Sequence, residues 1–303
     1  MDGYERFRRA AVDRGIPADE VEKFIDQLRF EILLGSGDPG EEVVGQSGGL
    51  PRLPVGARWP SSASGRPLPF VASVDCAVLP RAEGLPLPED GSLLFFLNHE
   101  EDWPTPLGGD GPEHARAVYV PAGTETEVAT APPGHDEAGF FHHDIPFVAH
   151  GFGLSASVVP VLPPWIEERD EFEFDDSEVL ERLFDELEHV DELCEVVDEL
   201  WPEGRCSTLS LGGYCEHSGQ GDSPLAELAG AGFTHRPETR AALPGAERFH
   251  SGEVEEYLLS REWVPLVQFS TGSENYYGCF LIDLEDLAAK RFDRMRSVTR
   301  FFK

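Results

Sequence analysis

The sequence predicts an α+β fold: a large, mostly antiparallel sheet with helices packed on it. Three observations carry that expectation. Strand-like runs, PFVASVDCAVL, GSLLFFLN and ARAVYVPAG, follow one another with no helical repeat between them. Helical spacing of apolar residues is confined to a few segments, chiefly the first thirty residues and 177–200. Strands and helices are therefore segregated rather than alternating, unlike a βαβ chain.

Taken in order, YERFRRAAVDRG reads as a helix closed by Gly15, and Pro17 opens the next element. PADEVEKFIDQLRFEILL places Val21, Phe24, Ile25, Leu28 and Ile32 at helical spacing and predicts one amphipathic helix. Residues 1–34 thus read as a helical segment packing on a single domain, 35–303. Gly35–Pro69 is rich in Gly, Pro and Ser and predicts an irregular, extended path, because each Pro fixes its own φ and restricts its predecessor. The three strands named above come next, the last two separated by the polar loop HEEDWPTPLGGDGPEH. FVAHGFGLSASVVPVLP adds one or two more.

The clearest helical pattern runs over 177–200. Ser177 suits the N-cap, with Asp175 and Asp176 at the positive end of the helix dipole. Val179, Leu180, Leu183, Leu187, Val190, Leu193, Val197 and Leu200 recur at steps of three and four, and Pro202 and Gly204 end the run. After the stretch LGGYCEHSGQGD (211–222) come a short helix at SGEVEEYLLSR, a strand WVPLVQFS, a turn TGSENYYG, a strand CFLID and a short helix LEDLAAKRFDRM. LPFVASVD (68–75) and VPLVQFST (264–271) echo one another, and each precedes a Gly-led apolar strand, which suggests a duplicated β unit.

Composition narrows the function. With 303 residues, 40% of them hydrophobic, the chain can bury a core without disulfides or metal. No run approaches the roughly 20 apolar residues of a membrane helix. The N-terminal MDGYERFRRAAVDRG has no apolar signal core, so a cytoplasmic location is expected. The five cysteines form no CxxC pair and read as reduced thiols. The net charge is −33, and residues 165–204 alone hold eighteen acids against two arginines. Such a surface repels nucleic acid and attracts a basic protein partner.

The candidates for chemistry are thin. Cys215 and His217 share a strand face by spacing, but no paired ligands complete a zinc site and no third group marks a catalytic pair. His142, His143, Asp144 and His150, with His135 upstream, are the densest imidazole region, without HExxH or facial-triad spacing. No G-x-S-x-G elbow or phosphate loop is present. No cofactor is expected, and the reading leans away from an enzyme. Aromatics beside prolines or in turns (Trp59, Trp103, Trp201, Trp263, Tyr276, Tyr277) suit recognition surfaces.

Four segments in order, GGLPRLPVGARWP (48–60), GRPLPFVASVD with LPEDGSLLFFL, LGGYCEHSGQGD, and VPLVQFSTGSENYYGCFLIDLEDLAAKRFD (264–293), resemble the YwqG-like family, a bacterial family of unassigned function. The chain departs from that family's pattern at Cys215, where proline is usual, and at Asn275–Gly278, which lacks the usual Asp. The resemblance implies an α+β fold rich in antiparallel sheet and no established reaction. Its densest places single out Trp59, Gly213, Tyr214, Gln220, Asp222, Gln268 and Tyr276 as candidate ligand- or partner-binding residues. Two readings of function stand. One is a non-enzymatic binding protein whose acidic surface engages a basic partner, for instance as an inhibitor or immunity protein. The other is an enzyme or small-molecule binder with a site near the 211–222 loop.

Overall fold

The computed structural model describes residues 2–38, 40–103, 105, 107, 111–133, 151–167, 169, 178–202, 207–215, 223–243, 252–270 and 276–301. In order, the elements are α1 (Gly3–Asp13), α2 (Ala18–Ile25), β1 (Arg29–Ser36), β2 (Gly45–Ser47), β3 (Arg52–Pro54), β4 (Phe70–Asp75), β5 (Ser92–Leu97), α3 (His99–Asp102), β6 (Ala115–Val120), β7 (Thr126–Val128), β8 (Phe152–Val161), α4 (Pro164–Glu167), α5 (Glu178–Asp185), α6 (Val190–Leu200), β9 (Leu209–Gly212), α7 (Pro224–Gly230), α8 (Pro237–Ala242), α9 (Gly252–Ser260), β10 (Trp263–Ser270), β11 (Tyr276–Asp283), α10 (Leu284–Ala288), a 3-10 turn at Phe292–Arg294, and β12 (Arg296–Phe301). No helix among the described residues is long and apolar enough to cross a membrane.

Among the described residues, ten strands form one antiparallel sheet in the order β12-β11-β10-β9-β1-β8-β2-β4-β5-β6, so the fold is α+β as the strand runs predict. The order has an internal logic. From the central pair β1–β8 the chain adds β9 to β12 outward on one side and β2, β4, β5 and β6 outward on the other. The two echoing segments overlap β4 (over 70–75) and β10 (over 264–270), each of which forms a bulged antiparallel hairpin with the next strand. The sheet curls nearly into a barrel. Phe95 on β5 and Phe280 on β11, each one strand in from an opposite edge, meet with ring centroids 6.1 Å apart. The seam between β6 and β12 is bridged by side chains: the Asp102 carboxylate accepts from the Ser297 and Thr299 hydroxyls at 2.6 and 2.7 Å, and Phe292 packs on Tyr119 at 5.9 Å.

Two element boundaries differ from the expected ones. The helix expected to run through Ile32 stops at Ile25, and Arg29–Ser36 is the strand β1. Phe30, Ile32 and Leu34 are buried and the residues between them are less so, which is the period of a strand. Hydrogen-bonded neighbours on both edges, β8 and β9, override the helical spacing. The single helix expected over 177–200 is two, α5 and α6, with Glu186–His189 between them. There the Glu20 carboxylate accepts from both the backbone N–H and the ring Nδ1 of His189 (2.8 Å to the ring), and these contacts hold the break against α2. Ser177, the expected N-cap, lies outside the described residues.

The enclosed core joins the inner face of the sheet to α1, α2 and α6 through Phe7, Phe24, Ile32, Leu193 and Val197. Outside the curl, β4–β6 is covered by the 53–70 segment, with Leu53, Leu68 and Phe70 against Leu94 and Phe96. The outer face of β10–β12 is covered by α7 and the residues around it, with Leu225, Leu228 and Leu259 against Tyr277, Cys279 and Leu281. This second cover is what builds the candidate site.

Candidate functional site

β9 ends on Gly212 and Gly213 follows it, and both glycines are required by geometry. Gly212 and Gly213 have φ of +83° and +73°, a region in which any side chain is strained. A Cβ on Gly213 would also lie 2.8 Å from a Glu31 carboxylate oxygen, and one on Gly212 would lie 2.9 Å from Leu85 Cδ2. The chain therefore turns sharply out of the sheet and presents Tyr214 and Cys215 beside α9.

A polar chain fixes this turn. The Tyr277 hydroxyl donates to Gln268 Oε1 at 3.0 Å, and Gln268 Nε2 donates to the Tyr214 carbonyl at 2.8 Å. The Tyr214 hydroxyl then donates to the Gln27 carbonyl at 2.7 Å. Gln268 is only 1% exposed, so its amide is committed to this scaffold. Arg29 closes the other side: its guanidinium lies 4.0 Å from the centroid of the Tyr214 ring and donates to the carbonyls of Gly213 and Ser260. Burial pushes the Tyr214 phenol above its usual range, with Arg29 acting against that shift.

Beside the turn opens a cleft of about 170 Å³. Its walls are aromatic and apolar, from Trp165 on α4, Tyr214, Tyr257 on α9, Pro164 and Leu180. Among the described residues, Glu256 is the one charged residue that lines it. The Glu256 carboxylate accepts from the Ser223 hydroxyl, and Ser223 in turn caps α7 by accepting from the Ala226 N–H at 3.0 Å. The Gln27 amide donates to the Tyr257 hydroxyl at 3.4 Å, and these two residues, with Trp165, also line a neighbouring cleft of about 170 Å³. A third cleft of about 320 Å³ lies on the Gly213 side, with Asp26, Arg29, Glu83 and Arg261 mixing both charges along its wall.

The structure brings three of the candidate residues together: Gly213, Tyr214 and Gln268. Trp59 is not with them. It serves the cover over β4–β6, with its indole N–H donating to the Leu68 carbonyl at 2.8 Å and its ring edge-on to Phe96. Tyr276 begins β11 and pairs with Phe301 of β12, where a turn was expected. Tyr277 and Trp263 are buried, so neither forms an exposed aromatic surface, whereas Trp103 is exposed. Gln220, Asp222, His217 and the 135–150 histidine region lie outside the described residues. Among the described residues, no three His, Cys, Asp or Glu are grouped to hold a metal ion.

Trp165, Glu256 and Tyr257 escaped the sequence reading. Trp165 carries the same signal as the other tryptophans, a neighbouring proline in PPW, whereas Glu256 and Tyr257 look like any residues of an acidic short helix. A family model described as a domain of unknown function (DUF1963) matches residues 46–299. Among curated proteins, none matches the chain.

Proposed function

The chain belongs to that DUF1963 family, whose match over 46–299 covers most of the curled sheet, though not β1, and most of the residues lining the cleft, and on this footing we propose a YwqG-like, non-enzymatic binding protein that holds a cationic side chain of a basic partner in the cleft beside Tyr214. The observation that carries the reading is the lining: the aromatic side chains of Trp165, Tyr214 and Tyr257 border the same cleft as the Glu256 carboxylate. Aromatic faces attract ammonium and guanidinium groups through their quadrupoles, each contact contributing about 0.5–2 kcal/mol. A carboxylate at the same place adds charge complementarity and selects the cation over its neutral isostere. Arg29 stacked on Tyr214 is an internal instance of the same pairing. The net charge of −33 supports the choice of partner, since a field of that sign steers basic proteins toward the surface and repels nucleic acid. Pockets that fix a ligand are typically apolar with few convergent polar groups, and this cleft fits that description.

Titration calorimetry with N-acetyl-lysine amide and its uncharged counterpart N-acetyl-norleucine amide tests the reading. The lysine derivative binds, the norleucine derivative does not, and Glu256→Gln weakens the lysine derivative about tenfold, equivalent to about 1.4 kcal/mol. Equal binding of the two compounds, absence of binding by either, or indifference to Glu256→Gln overturns it.

A further inference from the structure

The back wall of the cleft holds a pair of thiols. Cys215 lines the cleft directly. Cys279 lies behind it on β11, opposite Gln268, the residue whose amide grips the Tyr214 carbonyl one position before Cys215. The two cysteines belong to the same buried cluster, where Cys279 acts directly on the Cys215 thiol, and both are free thiols. Two thiols of one buried cluster, one of them lining a cleft, form an arrangement that a small oxidant can reach.

We propose that Cys215 and Cys279 are a redox pair that closes to a disulfide under peroxide, pinning the wall of the cleft to the sheet. The oxidant is hydrogen peroxide entering through the cleft. Cys215 sulfur attacks one peroxide oxygen, the O–O bond breaks, and a sulfenic acid forms with release of one water. Cys279 sulfur then attacks the Cys215 sulfur, the S–O bond breaks, and a second water leaves as the S–S bond forms. In sum, two thiols and one peroxide give one disulfide and two waters, the thiols losing two electrons to the peroxide. The neighbouring Cys279 thiol, and then burial, hold the Cys215 thiol well above its usual pKa, so the reaction is slow and needs sustained oxidant rather than a trace. Cys76 and Cys194 sit apart from this pair, with burial pushing each thiol up to about 11, and serve as internal controls. The inference stands independently of any ligand in the cleft.

Treatment of the full chain with hydrogen peroxide, followed by alkylation, proteolysis and mass spectrometry, tests it. The expected product is a Cys215–Cys279 linked peptide two hydrogens lighter than the sum of its reduced parts. It reverts with dithiothreitol and is lost in both Cys215→Ser and Cys279→Ser. The inference is overturned if both cysteines are recovered alkylated after oxidation, or if either is recovered linked to a different cysteine. Because the wild-type chain supplies the decisive readout, a variant that misfolds does not obscure the answer.

Discussion

At the scale of single residues, Gly212 and Gly213 decide where the chain goes after β9. The sequence showed them plainly: two consecutive glycines before a tyrosine ask for a backbone that other residues avoid, and the positive φ angles answer that request. Gly213→Ala therefore loses about 1–3 kcal/mol of stability, from left-handed strain and the close approach to Glu31. Gly230→Ala is the matched control. It ends α7 with open space around its Cβ position, and it is neutral or stabilising by up to about 1 kcal/mol. Urea denaturation of the two variants checks the contrast, and equal losses would refute the geometric account. Cys215 and His217 pointed toward metal or catalysis when read by spacing alone. His217 lies outside the described residues, and Cys215 shares a buried cluster with Cys279, sixty-four positions away, a neighbour that no local spacing encodes.

Between residues and fold, the elements show where periodicity misleads. Residues 18–34 satisfy a helical pattern, yet pairing on both edges turns the second half into β1. Residues 177–200 satisfy it as well, yet the chain breaks between α5 and α6, where Glu20 of α2 reaches the His189 backbone and ring. Both outcomes depend on partners distant in sequence, so neither was legible from a local window. The strands β4, β5, β6, β8, β10 and β11 were legible, because each is a short apolar run bounded by turns. The Glu20–His189 contact has a pH signature. Glu20 raises the His189 pKa above 6.5, so the contact contributes its full stability below pH 6.5 and loses it as pH rises through the raised folded value. The difference in melting temperature between the wild type and His189→Gln accordingly shrinks from about pH 5.5 to about pH 8.5. A difference that stays constant across that range, measured by thermal scans in matched buffers, would contradict the assignment.

For the whole molecule, the curl of the sheet organises everything else. It encloses one core, brings Phe95 to Phe280, and leaves outer faces that the 53–70 segment and the α7–α9 region cover. Burial raises the Asp102 carboxyl pKa at the seam, while the Ser297 and Thr299 hydroxyls act against that shift and hold β12 near α3. The sequence foretold the α+β class and the large antiparallel sheet, since these follow from the number and character of the strand runs. It could not foretell the cleft, whose walls come from α4, the 213–215 turn and α9, segments widely separated along the chain and joined only by the fold. Under the proposed function this cleft, and not the acidic surface at large, recognises a cationic side chain. Nuclear magnetic resonance of the Trp165 indole N–H during titration with a lysine-containing peptide tests it most directly. The account predicts a saturable shift of that resonance, weakened in Glu256→Gln. A Trp165 resonance that stays fixed while resonances of α5 and α6 move would contradict it.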